Sequence, residues 1–347
     1  MSFRKQMFFG LGCAIIVLFL IVPLWARAHE VYVLPPLEAQ NALAAPFLNP
    51  FTALQGQGLL FLGWGIFFLL AVIFVLRISV FKFLERACDP WLIRMKKYAP
   101  LAGRITIGVS LFASGYFGDL FGPELPFSQL FDGSVHLFSL LLMAVGLCLI
   151  FGVITRIAAL IGLLFFGFAL LVFHGYMLTY ANYLGELLLV LLLGGSLWSV
   201  DHLMKKSTTH RFAHLERYSF LILRICYGAA IFFASFYAKF LHSNLALQTV
   251  NDYHLTDYFH FTPLFLVMGA FLVEAFLGIF FAIGFEIRFA AIVFTCFLAL
   301  SLWFFGETVW PHLILFGVNA TLFLHGYDEY TVEKWLVRIN KREEPVL

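Results

Sequence analysis

Long apolar stretches, each about the length of a membrane-spanning helix, follow one another along almost the whole sequence. A bilayer core about 30 Å thick needs roughly 20 mainly apolar residues per helix. Of the 347 residues, 62% are hydrophobic and 12% charged, whereas a soluble domain is about 25% charged. This composition excludes a soluble enzyme, a disordered chain and a disulfide scaffold, and it predicts an all-α polytopic membrane protein. The ten predicted spans are 7–25, 57–79, 103–122, 136–153, 157–173, 183–200, 219–240, 262–283, 289–305 and 311–326.

Lysines and arginines are distributed asymmetrically around these spans. With a cytoplasmic N-terminus, all of the 22 lysines and arginines except Arg27 and Lys239 lie on the inner side. The predicted outer loops instead carry acidic residues, namely Glu30, Glu38, Glu124, Asp132, Asp252 and Asp257. This distribution follows the positive-inside rule and predicts a protein of the inner membrane with both termini in the cytoplasm. Because the basic residues form no patch, the expected partner is the lipid bilayer and not a nucleic acid.

The N-terminal segment 1–28 has the features of a secretory leader. Two basic residues precede an apolar core, and Ala26-Arg27-Ala28 provides a small-residue cleavage pattern. The core is longer than that of most signal peptides, which favours an uncleaved anchor, so a signal peptide and a signal anchor both stay open. Residues 29–100 are then an outer loop, one transmembrane helix and a basic inner loop.

An internal repeat organises the rest of the chain. The matching positions, separated by 120 and then by 132 residues, are Arg104 and Arg224, Gly108 and Gly228, Gly146 and Gly278, Gly152 and Gly284, and Arg156 and Arg288. Each half holds four predicted spans, so the halves share one orientation and predict two parallel four-helix bundles beside an N-terminal hairpin. The predicted units are the first repeat 101–204, an inner linker 205–218, the second repeat 219–328 and a cytoplasmic tail 329–347.

The small and basic residues of the repeat have structural explanations. Gly108 and Gly228 let helices approach closely where no hydrophobic effect drives association. Arg156 and Arg288 follow tight turns, and we expect them at the headgroup level, which a long side chain can reach. The tail predicts an amphipathic helix on the membrane surface, whose apolar face is formed by Val332, Trp335, Leu336 and Ile339.

The motifs of both halves resemble those of the DoxX family. The similarity lies in an Arg-Ile-x-x-Gly start, a Glu-x-x-x-Gly span and a Gly-x-x-x-Arg-x-Ala-Ala turn. The second half is the closer one, because Lys239 and Glu274 stand where the family has its lysine and glutamate, whereas the first half has Asp119 and Leu142. The resemblance implies four-helix membrane proteins, several of them linked to quinone-dependent redox complexes. One related branch is the small subunit of thiosulfate:quinone oxidoreductase.

Ionisable side chains inside the predicted spans are the candidate functional groups, because a charge within a bilayer is costly. Glu274 lies near the middle of its span, and Lys239 and His312 are its candidate partners. Beside an apolar cleft, these groups could bind and protonate a quinone carbonyl. A buried polar clamp that holds three helices in register is the structural alternative. Glu186 and Asn319 are lesser candidates.

Three histidines of one predicted outer loop, His242, His254 and His260, are the candidate metal ligands. Imidazole groups suit copper or zinc, but the spacing matches no metal motif, so metal binding stays open. The five cysteines lie in spans or in the inner loop and form no Cys-x-x-Cys. They predict neither disulfides nor a zinc or iron–sulfur framework.

Three functions fit these features. The first is a quinone-interacting membrane subunit of a redox complex, in which a soluble or membrane partner supplies the electron donor. The second is a permease for a small or amphipathic solute, with a path between the halves and with Glu274 and Glu186 as coupling carboxylates. The third is a membrane scaffold without a ligand. Because the sequence has no nucleotide-binding loop and no nucleophile motif, any enzymatic role is that of an oxidoreductase subunit.

Overall fold

A computed structural model describes residues 34, 36–49, 56–77, 79–131, 133–195, 197–204, 213–305 and 309–337. Within these ranges the chain is helical and contains no β-strand, only an isolated bridge between Asp119 and Pro126. The predicted all-α class is therefore confirmed. The leader 1–28, the first predicted span 7–25, most of the linker 205–218 and the end of the tail lie outside the described residues.

The α-helices of six or more residues are numbered along the described chain. They are α1 (Pro36–Ala44), α2 (Gly58–Arg77), α3 (Ser79–Met95), α4 (Ala99–Phe117), α5 (Val135–Phe151), α6 (Thr155–Phe173), α7 (Ala181–Leu193), α8 (Ser219–Ser235), α9 (Ser243–Asp252), α10 (Pro263–Ile283), α11 (Ile287–Phe305), α12 (Leu313–His325) and α13 (Val332–Val337).

Four helical stretches of the described chain are long and apolar enough to cross a bilayer: Thr155–Leu193, His214–Leu241, Pro263–Ile283 and Ile287–Phe305. They indicate a membrane protein, although four stretches do not establish ten spans. The last helix of each half accounts for part of the difference between the ten predicted spans and these four stretches. Helices α7 and α12 have only 13 residues, which extend about 20 Å at 1.5 Å per residue. Each follows a 3-10 turn instead of continuing a full-length α-helix.

Two helix pairs, α4 with α5 and α8 with α10, approach each other through facing glycines. A Cβ atom added to Gly108 would lie 2.9 Å from the carbonyl oxygen of Gly146, and one added to Gly228 would overlap that of Gly278. In lipid, helices associate through close van der Waals packing, which small residues permit. The glycines therefore bring the backbones into direct contact at matching places in the two halves.

Arg104 and Arg224, near the starts of α4 and α8, are fully buried and bind the far end of their own half. Nη2 of Arg104 donates to the carbonyl oxygen of Trp198 at 3.0 Å, and Nη2 of Arg224 donates to that of Tyr330 at 3.1 Å. Each guanidinium also lies against the glycine that ends the second helix of its half. The two halves thus contain the same arginine contact at their first and last elements.

Arg156 and Arg288 bind main-chain carbonyl groups of α7 and α12. Nη2 of Arg156 donates to Leu192 at 3.0 Å, and Nε of Arg288 donates to Phe323 at 2.9 Å. Arg288 is fully buried within the protein, and its position at the headgroup level stays a prediction. The last carbonyls of a helix have no partner within the helix, and these arginines supply one inside the protein.

The described start of the tail packs against the protein. The backbone N–H of Glu333 donates to the carbonyl oxygen of Gly284 at 3.2 Å, and its buried carboxylate accepts from the N–H of Glu286 at 3.2 Å. Helix α13 therefore begins against the turn between α10 and α11. The predicted amphipathic face stays a prediction, because Ile339 and the side chains of Trp335 and Leu336 lie outside the described part of the chain.

We expect Gly228→Ala to lower the free energy of unfolding by about 1–3 kcal/mol, the usual cost of overpacking. The added methyl group would force α8 and α10 apart at Gly278. Gly269→Ala in α10 is the matched control, because a Cβ atom there meets nothing within 4 Å. The measurement is thermal unfolding of both variants in detergent, and equal midpoints would contradict the close contact.

Candidate functional site

A cavity of about 530 Å³ lies among the helices of the second half. Residues of α8, α9, α10, α11 and α12, together with the turns that join them, form its mainly apolar wall. Three candidates from the sequence, Lys239, Glu274 and His312, line this same cavity. The structure therefore brings together a cation, a carboxylate and an imidazole that are separated by up to 73 residues in the sequence.

Lys239 and Glu274 form an ion pair within the cavity wall. Nζ of Lys239 lies 3.0 Å from Oε2 of Glu274, and each side chain is only 12% exposed. Burying either charge alone would be unfavourable, and removing one partner of such a pair typically costs about 3–5 kcal/mol. The two charges therefore neutralise each other and give the cavity a polar end without a net charge.

A π-helical turn positions the lysine. Helix α8 ends at Ser235 and continues as the π-helix Phe236–Leu241, which carries Lys239. The hydroxyl of Ser235 donates to the carbonyl oxygen of Phe271 at 3.3 Å and so joins this end of α8 to α10. Wide turns of this kind often occur at functional sites. Here the turn directs the lysine towards Glu274, one turn along α10 from Phe271.

His312 reaches the cavity wall from a 3-10 turn. It is buried, with 3% of its surface exposed, and it ends the turn Trp310–His312 that precedes α12. The ring of Trp310 stacks on Phe117 of α4 with 5.1 Å between the ring centroids. This contact holds the turn against the first half. An imidazole can both donate and accept a proton near neutral pH.

One side of the cavity lies at the lipid-facing surface of α11. Leu300 and Trp303 contribute to its wall, although 68% and 89% of their surfaces are exposed. Phe294 and Phe297 line the cavity on the same helix at a deeper position. The site is therefore bounded by exposed apolar residues on one side and by the ion pair within the helix bundle.

Two predicted residues, Glu186 and Asn319, lie elsewhere, between the halves. The Thr106 hydroxyl is 3.1 Å from Oε1 of Glu186, and the Tyr227 hydroxyl donates to Oδ1 of Asn319 at 2.8 Å. The candidates named from the sequence do not include Thr106 and Tyr227. A tyrosine in the middle of an apolar span needs a hydrogen-bond partner, so the sequence could have indicated that Tyr227 belongs to a polar contact.

The corresponding region of the first half is filled by side chains. Leu142, at the position that matches Glu274, is fully buried, as are Phe121 and Phe127. The hydroxyl of Tyr183 donates to the carbonyl oxygen of Phe121 at 3.1 Å, and the two rings are 4.7 Å apart. In the first half, an apolar and aromatic cluster thus occupies the place that corresponds to the polar end of the second-half cavity.

Asp119, which stands where the family has its lysine, lies in the turn beyond the end of α4. Burial and the neighbouring charge of Glu124 raise the pKa of Asp119 to about 7. The hydroxyl of Tyr176 donates to Glu124 at 3.1 Å, and that of Tyr180 also donates to this carboxylate. The first half therefore holds a pair of acids at this end, in contrast to the lysine–glutamate pair of the second.

The predicted metal ligands do not converge. In the described part of the chain, no three histidine, cysteine, aspartate or glutamate side chains are arranged to hold a metal ion. His242, His254 and His260 are all among the described residues. They lie before, within and after the segment formed by α9 and the turn that follows it, and metal binding by them stays a prediction.

We expect Asp119→Asn to flatten the dependence of stability on pH between about 4 and 7. In this window, between the unfolded pKa of about 3.9 and the folded pKa of about 7, the folded state binds more protons than the unfolded state. Stability of the wild type should therefore fall as the pH rises. Thermal unfolding in detergent measures the slope, and Asp257→Asn, at an exposed carboxylate, is the control. An unchanged slope in Asp119→Asn would contradict the assignment.

Comparison with known proteins identifies a family in the second half only. Residues 219–307 match the DoxX family model, and this range contains the Lys239–Glu274 ion pair, while His312 follows it. No curated protein and no solved structure matches the chain. Residues 101–204 lie outside the match, so the tandem arrangement stays a prediction. The resemblance found in the sequence is confirmed in the second half, where residues 219–307 match the DoxX family.

Proposed function

We propose that this DoxX-like membrane protein binds a quinone in the second-half cavity and acts as the membrane subunit of a redox complex. The observation that carries the proposal is the convergence of Lys239, Glu274 and His312 on one apolar cavity. In this function the chain holds the quinone, and a soluble or membrane partner supplies the electrons.

The size and lining of the cavity suit such a ligand. Pockets for small organic molecules usually measure about 300–1,000 Å³ and combine apolar walls with a few polar groups, and this one measures about 530 Å³. A quinone ring offers carbonyl acceptors, to which the ammonium of Lys239 or the imidazole of His312 can donate. Phe294 and Phe297 provide aromatic surface for the ring.

The exposed edge of the cavity supports entry from the membrane. Quinones with isoprenoid tails dissolve in the apolar part of a bilayer, and Leu300 and Trp303 form the edge of the cavity on the lipid-facing surface of α11. A tail can extend past these residues while the ring lies near the ion pair. His312 and Glu274 would then hold or move the protons that accompany reduction of the ring, which is the chemistry a bound quinone supplies.

The contact between the halves favours this function over a permease with a path between them. A Cβ atom added to Gly185 of α7 would lie 2.8 Å from Cβ of Cys226 in α8, and one added to Gly317 of α12 would overlap Cβ of Thr106 in α4. The helices of the two halves are therefore in close contact at both places. The cavity lies to one side, mainly among helices of the second half, with Thr179 of the first half in its wall.

We further propose that residues 101–204 and 219–328 are tandem four-helix repeats in a ten-span protein of the inner membrane. The paired glycine contacts and paired arginine contacts support the repeat, and the distribution of basic residues supports the orientation. In a bacterial host, a green fluorescent protein fused after Leu347 should fluoresce, and alkaline phosphatase at the same place should be inactive. The opposite pair of results would contradict a cytoplasmic C-terminus.

We expect Glu274→Gln to lose most of the bound quinone, because the variant leaves the ammonium of Lys239 buried without its counter-charge and changes the polar end of the cavity. The measurement is organic extraction of the mildly purified protein followed by mass spectrometry. Wild type should carry near-stoichiometric quinone. Glu329→Gln, at an exposed carboxylate outside the cavity, should retain it.

A double variant separates binding from folding. Lys239→Met with Glu274→Gln removes both charges, so no buried charge is left unpaired, and we expect it to fold while still losing the quinone. If both the single and the double variants fold and keep wild-type amounts of quinone, the proposed site is wrong. If folded wild type carries no quinone and takes none up from loaded vesicles, the proposed ligand is wrong.

A further inference from the structure

A second polar cluster lies between the halves, away from the cavity wall. Its centre is Glu186 of α7, which has no exposed surface. In the described chain its carboxylate forms no ion pair, Thr106 is its hydrogen-bond partner at Oε1, and Oε2 has none. A buried carboxylate usually has a cation or several donors around it, so this environment needs an explanation.

The groups that face Glu186 are polar but uncharged. Thr106 comes from α4, and Tyr227 of α8 lies close enough for an electrostatic interaction. Tyr183, on α7 itself, is also within electrostatic reach. Asn182, one turn before Glu186, is buried, and its Oδ1 has no partner. An ionised carboxylate would therefore lie in an apolar bundle with one hydroxyl donor.

The hydroxyl of Thr106 provides the geometric argument. Its oxygen lies 3.1 Å from Oε1 of Glu186, 2.9 Å from the carbonyl oxygen of Ala102 and 3.2 Å from that of Gly103. A threonine hydroxyl has one proton to donate, so it cannot satisfy Glu186 and the main chain at once. If Glu186 carries a proton, the carboxyl group donates to Thr106, and Thr106 donates to Ala102. Both contacts then become hydrogen bonds.

We propose that Glu186 is a proton-binding site, occupied at neutral pH, which exchanges its proton through Tyr227 and Asn319 with the cavity of the second half. The site is independent of the ligand in the cavity, and it would hold a proton whether or not a quinone binds there. Glu274 and Glu186 then have opposite states, since Glu274 is ionised beside Lys239 and Glu186 is neutral beside Thr106.

The route to the cavity begins at Tyr227, which lies within electrostatic reach of Glu186 and forms hydrogen bonds towards the cavity. The hydroxyl of Tyr227 is 2.8 Å from Oδ1 of Asn319 and 3.1 Å from the carbonyl oxygen of Leu315. Leu315 lines the cavity, as does His312 one turn earlier in the chain. Polar groups thus connect the surroundings of Glu186 with the cavity wall, and Nδ2 of Asn319 has no partner that would fix the amide.

Infrared spectroscopy of the purified full-length protein tests the site. At neutral pH, the wild type minus Glu186→Gln difference spectrum should contain the C=O stretch of a protonated carboxyl group, shifted in D₂O. Glu274→Gln, which removes the ionised glutamate, is the matched control and should keep that band. A carboxylate stretch in place of the C=O band would overturn the proposal. A band that disappears when sodium replaces a bulky organic cation would overturn it too, in favour of a metal-ion site.

Two further variants keep the test decisive. If Glu186→Gln fails to fold, Thr106→Val should move the band to higher frequency, because the carboxyl group loses its hydrogen-bond partner; an unmoved band would overturn the assignment. Tyr227→Phe should slow hydrogen–deuterium exchange of the band several-fold. Tyr183→Phe, whose hydroxyl instead binds Phe121, should not. Equal exchange rates in the two tyrosine variants would overturn the route.

Discussion

The structure depends on one constraint: inside a bilayer, polar groups must find their partners within the protein, because lipid supplies none. Buried arginines satisfy the carbonyl groups at the ends of the short fourth helices, as Arg288 does at Phe323. Arg224 joins the start of α8 to the segment after α12 at Tyr330. The arginine near the start of each half thus joins its first and last elements. The facing glycines then let α8 and α10 approach, which places Lys239 and Glu274 3.0 Å apart.

The same constraint explains why Glu274 and Glu186 differ. Glu274 has a lysine beside it, so its charge is compensated and the pair can contact a polar ligand in an otherwise apolar cavity. Glu186 has a threonine whose single proton is shared among three acceptors, and burial of this kind favours the neutral form of a carboxyl group. In our proposals, glutamate therefore belongs to an ion pair at one site and carries an exchangeable proton at the other.

Much of the fold follows from the sequence, because its signals are local. Apolar length predicts helices, and Gly108 and Gly228 mark close helix contacts. The candidate group of Lys239, Glu274 and His312 also follows from a general rule about charges in lipid. What the sequence does not contain is the tertiary partner of each polar group. It therefore could not show that Arg288 binds the main chain, that α7 and α12 are short, or that Thr106 and Tyr227 lie between the halves.

The two halves differ at the positions that form the ion pair. In the first half, Asp119 replaces the lysine and Leu142 replaces the glutamate, so no ion pair can form there. Leu142 and Phe121 are instead fully buried in an aromatic cluster. Without the lysine–glutamate pair, apolar side chains fill the corresponding space in the first half. The first half contributes support, since Phe117 stacks on the turn that carries His312, and it contributes Glu186. Each half therefore supplies what the other lacks, and the proposed binding and proton sites require both.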